Sequence, residues 1–141
     1  MSEINTIQDL DILNPPSNIV LIGGEKIDLS FIPTGITFKV EKLISTINKI
    51  MININKLQKE REELKDEKSL EENENKLDED NEKIFNYSID LCTLFCSLKH
   101  PKLDRDWFLK ETQPVQIRAI VDEIKKALEA SYKAVEKYGK N

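Results

Sequence analysis

The chain has 141 residues, two cysteines, one histidine and a formal net charge of -5. A chain of this length can bury a core as one domain without disulfides or metals, and its negative balance, with no basic cluster to offset it, excludes nonspecific phosphate-backbone binding as the main role, so no nucleic-acid partner is expected. No apolar run is long enough to span a bilayer, no membrane association is expected, and the two cysteines with no leader before them fit a reducing cytoplasm.

Residues 1–18 read as an N-terminal arm, ahead of a single α+β domain over residues 19–141. In the arm Ile4, Ile7, Leu10 and Leu13 recur at three-residue steps, and Pro15-Pro16 ends any helix they form. Two readings stand: a leader with a few apolar residues, or an arm that docks on a neighbouring subunit.

Two short strands follow. Ile19-Val20-Leu21-Ile22 is an apolar run, Gly23-Gly24 supplies the positive-φ positions of a tight turn, and residues 26–31 alternate polar and apolar. The alternation puts Ile27, Leu29 and Phe31 on one face and Lys26, Asp28 and Ser30 toward water. A lone hairpin is marginal in water, so its apolar face needs a cover, for which the next helix is the nearest candidate in the chain. Its unpaired edges, at residues 19–22 or 26–31, also suggest a homo-oligomer.

Pro33 and Gly35 mark the exit. Beyond them Ile36, Val40, Leu43, Ile47, Ile50, Ile54 and Leu57 fall at alternating steps of four and three, a helical stripe that Ile44, Met51 and Ile52 widen. Such a stripe is either core or a face left open for a partner. The composition then changes: residues 58–83 hold twelve acidic and six basic residues, against 14 and 15 in the rest of the chain. Helix formers predict helix to about Lys68, and the asparagines at 73, 75 and 81 predict a break near residues 69–76. Residues 58–83 thus form a charged helical hairpin or a linker insertion, without the loop pattern of an EF-hand.

A helix is predicted to resume near Asp80, with Ile84, Tyr87, Leu91, Leu94, Phe95 and Leu98 as its apolar face and His100-Pro101 as its end, packing on the first helix. Cys92, Cys96 and His100 stand four apart. No other Cys or His completes a zinc set, and neither an oxyanion hole nor an orienting partner for the imidazole is indicated, so core cysteines are the reading. No catalytic residue, cofactor or metal site is predicted, and no enzyme. Residues 103–109 form a short amphipathic segment with the only tryptophan, Trp107, either a core anchor or an interface hot spot. A last helix starts at Thr112-Gln113-Pro114, carries Ile117, Ile120, Val121, Ile124, Leu128, Val135 and Tyr138, and stops at Gly139. Beyond Leu128 its stripe thins to Ala130, Ala134 and two tyrosines, a surface suited to another subunit.

The fold class expected is therefore α+β, mostly α, with an N-terminal β-hairpin, about four helices in a bundle, and a projecting charged helical hairpin. The hairpin NIVLIGGEKIDLSFIPTG with its following helix, and the late segment DWFLKETQPVQIRAIVDEIKKAL, resemble the small tail assembly chaperones of long-tailed phages and phage-derived tail elements, over residues 18–54 and 106–128. The acidic middle departs from the family's smaller members. The resemblance implies a helper in the bacterial host cytoplasm that binds a long helical tape-measure protein and keeps it soluble until the tail tube polymerises. Its candidate docking residues are Ile36, Val40, Leu43 and Ile47, or Ile117, Val121 and Ile124, with Trp107 beside them. The alternatives are a structural tail or capsid subunit retained in the particle, and a helical protein-binding adaptor.

Overall fold

The structure, a computed structural model, describes residues 8–139. It is α+β and mostly helical: a 3₁₀ turn (Leu10–Leu13), strands β1 (Ile19–Ile22) and β2 (Glu25–Asp28), then helices α1 (Thr34–Glu63), α2 (Glu67–Cys96), α3 (Arg105–Glu111) and α4 (Pro114–Gly139). The chain divides into two compact units. One comprises residues 33–121; the other joins residues 8–32 to residues 122–139, so that α4 contributes to both.

In the smaller unit β1 and β2 pair antiparallel with Ile22 opposite Glu25, and Gly23 and Gly24 turn the chain at φ of 57° and 80°. Two successive positive φ values define the tight turn whose twist suits a hairpin, and they favour glycine at both positions. Ile27 and Leu29 are buried as their alternation predicts, but Phe31 is exposed and Ser30 is buried. The alternation fails there because β2 ends at Asp28, whose carboxylate gathers the local donors. Its Oδ1 accepts from the Asn18 N–H (3.1 Å), the Ser30 N–H (2.9 Å) and the Ser30 hydroxyl (2.6 Å).

Burial pushes the Asp28 carboxyl up, but the hydrogen bonds from Ser30, Asn18 and Ser17 outweigh it and hold the pKa below the usual carboxylate value. A depressed folded pKa gives stability that is complete above the unfolded value and is lost as pH falls through the folded one. The hairpin is thus expected to loosen selectively below about pH 4. Faster amide exchange at Val20 and Ile27 in that range, absent in Asp28→Asn, is the readout. Asn18 also reaches α4, donating from Nδ2 to Glu123 Oε2 at 2.7 Å. The helix grouped with the hairpin is therefore the later half of α4, whereas α1, its nearest neighbour in the chain, belongs to the other unit.

The larger unit is built on the antiparallel pair α1 and α2. The predicted break near residues 69–76 is absent: α1 ends at Glu63 and α2 runs unbroken from Glu67. Asp66 sets that start, because its Oδ1 accepts from the Ser69 N–H (2.7 Å) and its Oδ2 from the Ser69 hydroxyl (2.6 Å), an N-cap that satisfies an otherwise orphaned donor. Asn73, expected to break the helix, is instead buried inside it and donates from Nδ2 to the Leu57 carbonyl at 2.9 Å. Along the same seam Asn53 Nδ2 donates to Asp80 Oδ2 at 2.6 Å, and Ile54, Leu57 and Leu77 form an apolar cluster flanked by Ile50 and Ile84. Residues 58–83 therefore form the closing turns of α1, a tight connection and the first half of α2.

Nearer the other end of α2, Ile89, Leu91, Cys92, Phe95 and Cys96 are buried, as are Leu103 and Phe108 in and before α3. Asp104 caps α3 by accepting from the Trp107 N–H at 2.8 Å. Arg105 then fastens α3 to α2, pairing with Asp90 and donating from Nη2 to Asn86 Oδ1 at 2.7 Å. Pro114 occupies the first turn of α4, where its missing N–H costs nothing, and the Gln113 N–H donates back to Gln116 Oε1 at 2.8 Å, one half of a capping box.

Candidate protein-binding surface

The structure places most of the residues predicted to bind a partner in the interior. Ile36, Val40, Ile47, Ile117, Val121 and Ile124 are all buried, Val40 and Ile124 completely, while Leu43 and Trp107 are half-buried. The two predicted stripes are thus core in this conformation. Trp107 sits edge-on to Phe108, with ring centroids 5.0 Å apart at 86°, and Phe108 is the ring that is fully buried. An arrangement of this kind anchors α3 through Phe108 and leaves Trp107 at the margin.

Apolar surface is exposed elsewhere. In the smaller unit an open groove of about 750 Å³ is walled by Ile12, Leu13, Pro15 and Pro16 on one side, by Phe31 and Ile32, and by the last turns of α4 from Ala130 to Lys137. Val135 and Ile12 are among its most exposed apolar side chains, at 69% and 75%. Among the described lining residues the charged ones are Lys133 and Lys137, and none is a carboxylate. The groove follows from local chemistry: Pro15-Pro16 holds the chain extended past the 3₁₀ turn, and the small side chains of Ala130, Ser131 and Ala134 leave the face of α4 low.

Two signals in the sequence pointed here, the thinning of the α4 stripe beyond Leu128 and, among the spaced apolar residues of the arm, Leu13. The contribution of Phe31 and Ile32 had none, since Phe31 fits the strand alternation that would bury it. Ile4 and Ile7 of the arm, and the side chain of Tyr138, lie outside the described residues. In the larger unit Phe38 is 87% exposed beside Lys39 and Lys42, a position off the helical stripe that the periodicity passed over.

Cys92 and Cys96 are free and buried. Burial, reinforced by the neighbouring Cys96, pushes the Cys92 thiol far up, and burial alone pushes Cys96 up to about 12. Neither thiol supplies a thiolate near neutral pH, which removes the ionised form that nucleophilic attack requires. His100 is half-exposed at the end of the turn after α2. Among the described residues no group of three or more His, Cys, Asp or Glu is arranged to hold a metal ion, and no helix is long and apolar enough to cross a membrane.

Comparison with known proteins finds no matching family model, no matching curated protein and no matching solved structure.

Proposed function

We propose that the chain is a non-catalytic, cytoplasmic assembly factor that binds a helical protein partner, and specifically a tail assembly chaperone that keeps a tape-measure-like protein soluble. The observation that carries the binding part is the groove of the smaller unit. It is apolar, open and edged by Lys133 and Lys137, which suits a helix whose apolar stripe is bordered by carboxylates. The assignment to tails rests on the resemblance of residues 18–54 and 106–128 to that family. A chaperone of this kind needs weak, repeatable apolar contacts and a charged exterior to keep the complex in solution. Here the groove provides the former and the acidic segment, residues 58–83, the latter.

The test is co-expression with the longest helical reading frame encoded beside this gene, scoring how much of that partner is soluble and co-purifies. The partner is expected to be recovered with several copies of the chain bound. Val135→Glu, at an exposed position in the groove, is expected to cut recovery by about tenfold by setting a carboxylate against an acidic-edged apolar helix. A partner that stays insoluble, or one whose recovery Val135→Glu leaves unchanged, rejects the reading.

A further inference from the structure

The two edges of the hairpin differ in a way that selects one of them. The pairing of Ile22 with Glu25 and of Val20 with Ile27, together with the Leu29 N–H donating to the Asn18 carbonyl at 2.9 Å, fixes which backbone groups point inward. In an antiparallel ladder with that register, Val20 and Ile22 exchange hydrogen bonds with β2, while the N–H and C=O groups of Ile19 and Leu21 point to the free edge of β1. The side chains of these two residues are also among the most exposed apolar groups of the unit, at 61% and 71%. The outer edge of β2 is different, since one of its outward positions is Lys26, a charge of the kind that guards natural edges, while the carboxylate at the other, Asp28, is turned back onto Asn18 and Ser30. Nothing charged guards β1.

We propose that β1 pairs antiparallel with β1 of a second copy of this chain, about a two-fold axis through Val20, to give a four-stranded sheet. The choice of a second copy comes from self-complementarity. With the axis at Val20, Ile19 of one copy faces Leu21 of the other, so the four residues whose backbone groups point to the free edges meet in two hydrogen-bonded pairs. Their side chains then cover one another on the exposed face. Lys26 on the outer edge of each β2 disfavours further pairing on both sides, so the association closes as a dimer and does not propagate. The four side chains together expose on the order of 500 Å², of which pairing covers only a part, well under the area of a permanent dimer, so the pair is weak and concentration-dependent. This dimer is independent of partner binding in the groove and stands or falls separately from it.

Sedimentation velocity of the chain from about 10 µM to about 1 mM tests the proposal, since weak interfaces of this size populate there. A monomer–dimer equilibrium is expected, and Leu21→Lys, at a position exposed enough to leave the fold intact, is expected to raise its dissociation constant by about tenfold or more. Register is read by disulfide trapping with diamide, for which the native cysteines are buried and silent. Val20→Cys places two thiols across the axis within bridging distance, whereas Leu21→Cys places them about 8 Å apart or more between Cα atoms, too far to bridge. Rapid trapping of Val20→Cys and slow trapping of Leu21→Cys support the pairing. A chain that is monomeric at the highest concentration, a dimer indifferent to Leu21→Lys, or the reverse order of trapping overturns it.

Discussion

Phe108→Ala is expected to destabilise the larger unit by about 3–5 kcal/mol, the most that any single truncation here should cost. Phe108 is 1% exposed and is the largest of the fully buried side chains. Its removal forfeits the transfer free energy of the ring and leaves a cavity that close-packed neighbours fill only in part. Against a total stability of about 5–15 kcal/mol, such a loss moves the unfolding midpoint strongly or abolishes folding. The ring also supports Trp107 edge-on, so the native tryptophan emission is expected to shift to the red even where the variant still folds. Trp107→Ala, at a half-buried position, should cost clearly less. Equal effects of the two truncations in urea unfolding would mean that Phe108 does not hold α3 in place.

Leu77→Asp should have a comparable cost, about 3 kcal/mol or more, but a different reach. Leu77 is 8% exposed and belongs to a cluster with only Ile54 and Leu57 as buried partners. A carboxylate there has no cation among those partners, so the charge is desolvated without compensation. The expected result is local: hydrogen exchange accelerates along the paired stretch of α1 and α2 around residues 54–80, while amides of α3 and the late part of α2 stay protected. Uniform acceleration throughout residues 33–121 would show that the unit unfolds as a whole. Asn73→Leu is the contrasting substitution at the same seam. It gives up one hydrogen bond to the Leu57 carbonyl and also removes Asn73 Oδ1, a buried acceptor with no partner, so little net change is expected.

The placement of α1–α2 pairing shows how local signals and tertiary ones divide. The stripe from Ile36 to Leu57 announced a long helix, and the start of α4 at Pro114 was readable where it stood. Asn73 was not. Asparagine lowers helix propensity because its amide competes for backbone groups in turns, and on that ground it predicted a break. In the structure its amide finds the Leu57 carbonyl, sixteen residues away in sequence, and the break falls at residues 64–66, where Asp66 caps the following turn.

The sequence by itself determined what depends on neighbours along the chain. Gly23-Gly24 required a tight hairpin turn, and the four-and-three spacing required amphipathic helices. Only the tertiary structure decided which apolar faces are closed. Ile36, Val40, Ile47, Ile117, Val121 and Ile124 fitted a core and left a partner face open as the other reading, because periodicity gives the direction of a face and not what lies against it. Burial is set by contacts between residues distant in sequence. That is why Phe31 and Val135, each consistent with a buried stripe, stand at the groove, and why the open edge of β1 became visible once its register with β2 was known.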